Sequence, residues 1–249
     1  MPLLSGMNRD CRPPPAARGI VYALRLATTD AGLTMIQLYY SPGSANLVPH
    51  ILLEEIGTPF ELLLVDRANA AHKKPEYLKL NPNGQIPVLV DGDFVLYETA
   101  AIALYLADRF ADRNFAPPLG TPQRAHYYQW MVWCTNTLQA MMMHFFYPER
   151  MVDDGDAAAA AQVKRRAEER AGGMLDVLDR QLASHGGEFL LGAQFSAVDP
   201  YALMLGRWTR SFARPARSLP HLAPYLQRML ARPAVQRAFA SEKISAPLV

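Results

Sequence analysis

From Met35 onward the apolar positions fall into two rhythms. Ile36 to Tyr40 alternates and is rich in β-forming residues, which predicts a first strand. Asn46 to Ile56 carries Leu47, Ile51, Leu52 and Ile56 at helical spacing, with Gly57 as the stop. Phe60 to Val65 reads as a second strand, Ala68 to Pro75 as a polar loop and Glu76 to Leu80 as one helical turn. Val88 to Val90 and Phe94 to Tyr97 form a hairpin around Asp91-Gly92-Asp93, because Asp-Gly supplies the backbone that a tight hairpin needs. Thr99 to Phe110 is an amphipathic helix.

Past the Pro- and Gly-rich stretch Asn114 to Pro122 only helical periods remain: Gln123 to Phe146, Ala157 to His185, Asp199 to Arg210, Leu219 to Leu230 and Pro233 to Ser241. The pattern is therefore β-α-β-(short α)-β-β-α followed by an all-α half. The expected division is a small α/β domain over 35–113, a linker over 114–122 and an all-helical domain over 123–249. Residues 1–34 look different: Arg12-Pro13-Pro14-Pro15 breaks any regular element, and the apolar patch Gly19 to Leu26 is short and interrupted by Arg25. They read as a disordered extension, or as sequence upstream of a start at Met35, rather than as a secretory leader.

Composition narrows the function classes. With 249 residues, half of them hydrophobic, the chain can build a sizeable core. A net charge of +2 without a basic stripe points away from nucleic acid, and no apolar run is long enough to span a membrane. Only 5 of the 25 basic residues are lysine, which fits a GC-rich genome. Cys11 and Cys134 have no motif spacing, so a disulfide framework or a metal site is not expected and a cytoplasmic setting is.

The most informative chemistry is Asn81-Pro82-Asn83-Gly84-Gln85-Ile86-Pro87-Val88-Leu89, followed by Glu98-Thr99 at a helix start. Pro87 cannot donate to a sheet ladder and belongs at a strand's beginning or edge, which leaves the Ile86 backbone free for another partner. A carboxylate and a hydroxyl at the next helix start complete a site that would grip a peptide-like ligand by backbone and charge.

In this order and spacing the motifs resemble those of the cytosolic glutathione transferases, over Met35 to about Ser241. The resemblance implies a thioredoxin-like domain that binds glutathione and a helical domain that supplies the second-substrate pocket. It implies a cis Pro87 that turns the Ile86 backbone toward the cysteinyl part of glutathione, in the manner of an added strand. Thr99 would take the γ-glutamyl carboxylate at the helix N-terminus, or serve as an N-cap, or both. Glu98 and Gln85 would meet the ammonium group or nearby polar atoms. His72 and Lys73 match the loop that holds the glycine carboxylate in several classes. Phe195-Ser196-Ala197-Val198-Asp199 matches a capping box, with Ser196 capping and Asp199 reaching back. Two-fold homodimers, glutathione as co-substrate, no metal and a role in detoxification are further implications.

Catalysis in the family needs the glutathione thiolate, lowered in pKa by a hydroxyl or thiol after the first strand and by helix N-termini. Tyr39-Tyr40-Ser41-Pro42-Gly43-Ser44-Ala45-Asn46-Leu47-Val48-Pro49-His50 is similar to the bacterial beta-class pattern, but Ala45 stands where that class has its cysteine. The candidates are Ser44, whose alternative is an N-cap, then Asn46 as an amide donor, and Tyr40, more a packing residue. The apolar stretch Gln123 to Phe146 and the later Trp208 would line the electrophile pocket, through Tyr127, Trp130, Met131 and Trp208. The expected activity is conjugation of glutathione to hydrophobic electrophiles. Alternatives are a glutathione-dependent disulfide or peroxide reductase, and a non-enzymatic binding protein of the same fold.

Overall fold

The computed structural model describes residues 35–249. The reading of residues 1–34, Cys11 included, lies outside the described residues.

The first half runs β1 (Ile36–Tyr40), α1 (Leu47–Ile56), β2 (Phe60–Leu64), α2 (Pro75–Leu78), β3 (Val88–Asp91), β4 (Phe94–Tyr97) and α3 (Thr99–Arg109). The strands form one mixed sheet in the order β2-β1-β3-β4, with β1 parallel to β2 and the other pairs antiparallel. Strand alternation sorts the side chains. Leu38 and Leu89 oppose each other and are fully buried in the main core with Ile51, Leu52, Ile102 and Leu106 of α1 and α3. Val88 and Val90 point to the other face, where Tyr77 and Val65 close a smaller cluster.

The second half is helical: α4 (Pro122–Trp133), α5 (Ala140–Phe146), α6 (Ala157–Ala183), α7 (Val198–Trp208), α8 (Leu222–Ala231) and α9 (Pro233–Ser241). Thr121 starts α4 by accepting the Arg124 N–H on its hydroxyl at 3.2 Å, with Pro122 in the first turn where no N–H is needed. The single long helix expected from Gln123 to Phe146 is interrupted: Cys134–Gln139 winds as a π turn between α4 and α5. Every residue of α7 is buried, which makes it the central helix of this half. Gly206 permits this packing, because a Cβ there would lie 2.8 Å from the Leu226 side chain of α8.

The box before α7 differs from expectation in one respect. Asp199 does reach back, accepting the Ser196 N–H at 2.7 Å. The Ser196 hydroxyl, however, donates to the same carboxylate at 3.1 Å instead of capping the helix. Asp199 is completely buried and also accepts from the Leu190 N–H and the Tyr225 hydroxyl, at 2.8 and 3.0 Å. A buried carboxylate needs this set of donors, and burial still raises its pKa.

The two halves meet along α1, which packs on α7 and α9. Apolar contact is framed by two ion pairs at 2.6 Å, Glu54–Arg237 and Glu55–Arg232. The Arg232 guanidinium also lies over the Phe195 ring at 4.1 Å.

Candidate functional site

Strand register builds the site. Tyr39 pairs with Val88, and Val88 with Tyr97. One step beyond that row come Tyr40, Pro87 and Glu98, so the ends of β1, β3 and β4 open onto the same edge of the sheet. Pro87 follows a cis peptide bond from Ile86 and immediately precedes β3. The Ile86 N–H and C=O make no hydrogen bond with other described residues, whereas the neighbouring Gln85 carbonyl is fixed by the Tyr77 hydroxyl at 2.6 Å and by Asn81 Nδ2 at 2.8 Å. One unspent backbone unit therefore sits beside a rigid one.

Glu98 holds a positive backbone φ of +71°, and no side chain caps α3. The N-cap alternative for Thr99 is not realised; Thr99 is the first helical residue and is nearly buried. The free N–H groups of that first turn carry positive potential toward the sheet edge.

Gly84 draws the basic loop to this edge. With φ +58°, it brings its Cα so close that a Cβ would lie 2.8 Å from the His72 carbonyl and 2.9 Å from Lys73 Nζ. His72 Nδ1 is buried without a partner, and burial together with Arg67 and Lys73 lowers the imidazole pKa. Gln85 is exposed on the same loop.

The β1–α1 loop is organised around Asn46. This side chain, expected as a thiol donor, is fully buried: Oδ1 accepts the Ser41 N–H at 3.0 Å and the Ser44 hydroxyl at 2.5 Å, and Nδ2 donates to Glu242 Oε1 at 2.7 Å. Ser44, half-buried, does not cap α1; the helix begins at Leu47 with no side-chain cap. The N–H groups of Ala45 and Asn46 have no acceptor among the described residues. Tyr40, also half-buried, makes no hydroxyl hydrogen bond within the described residues.

Glu242, just past α9, escaped sequence reasoning. It is 2% exposed and accepts from Asn46, from His50 Nδ1 at 2.7 Å and from the Gly43 N–H at 2.8 Å. Trp208 holds the same loop from α7, its indole donating to the Gly43 carbonyl at 3.1 Å. No local signal marks Glu242, since its partners lie 192 to 199 residues away.

The expected apolar wall divides. Trp208 stands against the loop, with Phe146 edge-on at 5.8 Å between ring centroids. Tyr127 and Met131 are fully buried in the core, a correction that follows from α4 turning that face inward. Trp130 lines a different cavity of about 570 Å³, among Pro117, Gln181 and Phe195. Burial pushes the Cys134 thiol well above its ordinary pKa, which disfavours the thiolate that a nucleophile needs. Among the described residues no cluster of His, Cys, Asp or Glu could hold a metal ion, and no helix is long and apolar enough to cross a membrane.

Comparison with known proteins gives two family matches: the glutathione S-transferase N-terminal domain over residues 35–108 and the C-terminal domain over 140–242. Glutathione S-transferase 3 of Zea mays is 34% identical over 85% of this chain and 96% of its own length. A glutathione S-transferase structure from Xylella fastidiosa superposes with a TM-score of 0.76 at 30% identity, covering 84% of this chain and all of the other. A glutathione transferase homologue from Sulfitobacter, solved with bound glutathione, gives the same TM-score at 25% identity, over 83% of this chain and 98% of the other.

Proposed function

The chain belongs to the glutathione S-transferase family, and from that premise we propose how it activates its thiol and holds its substrates. It is a glutathione transferase, conjugating glutathione to an electrophile. The single observation that carries the mechanism is the uncapped start of α1, where the Ser44 hydroxyl stands beside the unspent N–H groups of Ala45 and Asn46. A glutathione sulfur placed there receives the helix-end potential and, once Ser44 rotates from Asn46, a hydroxyl hydrogen bond. Both favour thiolate over thiol and lower its pKa from about 8.5 or 9 toward neutrality.

Glutathione is laid along the sheet edge. The Ile86 backbone pairs with its cysteinyl unit, and the α3 N-terminus with Thr99 takes the γ-glutamyl carboxylate. Glu98 and Gln85 meet the ammonium group, while His72 and Lys73 receive the glycine carboxylate. Trp208 and Phe146 border the electrophile. Tyr40 packs behind the loop. The reductase alternative rests on the absent cysteine at Ala45 and on Asn46; the buried Asn46 side chain, hydrogen-bonded to Ser41, Ser44 and Glu242, weakens the second of these grounds.

A homodimer, a cytoplasmic setting and a role in detoxification belong to the same reading. Tyr128 and Val132, exposed one turn apart on α4, and Phe94 on edge strand β4 supply apolar surface for a second copy. Light scattering on the purified protein tests this by the mass of one chain or two.

The decisive experiment on mechanism is a pH titration of thiolate absorbance for glutathione bound to the wild type and to Ser44→Ala. The expected result is ionisation near neutrality in the wild type and an upward shift in the variant. Equal low values in both would assign the effect to the helix-end N–H groups alone. An unshifted thiol in the wild type would overturn thiol activation.

A further inference from the structure

Two arginines meet at one tyrosine beside the loop that carries His72 and Lys73. Arg67, in the loop after β2, donates from Nη2 to the Tyr147 hydroxyl at 3.1 Å. Tyr147 directly follows α5, and the Arg150 guanidinium lies 4.0 Å from its ring centroid. Neither arginine has an ion-pair partner among the described residues. Asp66, next to Arg67, is turned back on Asn69, accepting its backbone and side-chain N–H groups at 3.1 and 2.6 Å. The position relative to the thiol site is set by contacts on both sides. Tyr147 adjoins Phe146, which meets Trp208, which holds Gly43. Arg67 in turn lies five residues before the His72-Lys73 loop.

We propose that the second substrate of this enzyme is an electrophile bearing a carboxylate or similar anion, received by Arg67 and Arg150 on either side of Tyr147 while its reactive carbon faces the sulfur beside Trp208. The inference rests on the transferase reading above and names the electrophile class. The glycine carboxylate of glutathione is assigned to His72 and Lys73. Arg150 comes from the helical half, the half that borders the electrophile, so the charge it adds is directed at the second substrate. Arg67 and Arg150 are exposed, and exposed cations act mainly by steering and by modest ground-state attraction, both weakened by salt.

Two chlorides of the same reaction type test this: 1-chloro-2,4-dinitrobenzene, neutral, and 4-chloro-3,5-dinitrobenzoate, anionic. In each the thiolate forms a carbon–sulfur bond at the chlorine-bearing carbon and chloride leaves with its electron pair, with no oxidant or reductant required. Each kcat/KM is divided by the uncatalysed rate constant with glutathione, which removes intrinsic reactivity. The expected result is a normalised preference for the anionic probe of about fivefold at low ionic strength, as two exposed charge contacts would give. The preference should shrink at roughly 0.5 M salt. It should fall toward one in an Arg67→Gln, Arg150→Gln double variant, with the KM for glutathione measured alongside to separate an effect on glutathione itself. A wild-type ratio at or below one, or a ratio unchanged in the double variant, overturns the proposal and leaves the transferase reading standing. Turnover of neither probe overturns both.

Discussion

Replacing Glu242 by alanine removes the acceptor that three donors share. The Gly43 N–H, Asn46 Nδ2 and His50 Nδ1 approach the carboxylate at 2.8, 2.7 and 2.7 Å, in a site 2% exposed. A hydrogen bond to a charged group contributes about 1.5–3 kcal/mol, so three would sum to about 4.5–9 kcal/mol if nothing relaxed. Some relaxation is certain, because the loop is only half-buried at Ser44 and water can follow the missing side chain. Removing one partner of a buried charged cluster costs about 3–5 kcal/mol in practice, and that is the expected loss. It is a large part of a typical total of about 5–15 kcal/mol. Glu242→Gln keeps the shape but turns one acceptor into a donor, and should lose about 1–3 kcal/mol. The assay is urea unfolding at one fixed chain concentration, read as the midpoint shift at constant slope. A double-mutant cycle with Asn46→Ala should show coupling of about 1 kcal/mol or more. A loss in Glu242→Ala below about 1 kcal/mol, or additivity in the cycle, would show that Glu242 does not anchor the β1–α1 loop.

Three further outcomes follow from other sites. Gly84→Ala places a methyl 2.8 Å from the His72 carbonyl at a positive φ; it should destabilise by about 1 kcal/mol or more and raise the KM for glutathione, and an unchanged KM would separate the loop from the ligand. Asp199→Ala orphans the Leu190 and Ser196 N–H groups and the Tyr225 hydroxyl, with an expected loss of about 3–5 kcal/mol in thermal or urea unfolding. Ser196→Ala removes only one donor to the same carboxylate and should cost about 1 kcal/mol; equal costs for the two would contradict the geometry. His72 has a lowered pKa, first from burial and then from Arg67 and Lys73. The imidazole is therefore neutral at pH 7, and it gains a proton only as pH falls below its ordinary range of about 6.5. The affinity for S-methylglutathione, which has no free thiol, should rise across that window, and calorimetry of His72→Gln should show the rise removed. In the same window the folded chain takes up the proton less readily than the unfolded one, so this group costs stability as pH falls and the cost disappears as pH rises.

What was legible in the sequence is what depends on neighbours in the chain. The alternation of Ile36 to Tyr40, the Asp-Gly hairpin and the spacing of Leu47, Ile51 and Leu52 define elements that need only nearby residues, and their order in turn limits the sheet. Pro87 and Glu98 converge because one hairpin sets both strand ends in register. The inward turn of Asn46 was not legible, since it depends on Glu242 at a separation of 196 residues. Nor was the burial of Tyr127 and Met131: a helix that is apolar on several faces does not disclose which face meets the core. The π turn at Cys134–Gln139 adds a residue to the helical count and shifts each later side chain around the axis, which periodicity alone does not register.

The contact between Gly43, Asn46 and Glu242 also sets an order of events during synthesis. Chains emerge from the ribosome N-terminus first, so the strands of the sheet and helix α1 are available long before residue 242. The segment from Ser41 to Asn46 can form its internal hydrogen bonds at that stage. Its anchors from α7 and from beyond α9, Trp208 and Glu242, are not yet made. A newly made chain thus gains a finished nucleophile-binding loop only after residue 242 has emerged, and a ribosome stalled between the two halves displays a sheet whose chemistry is still unset.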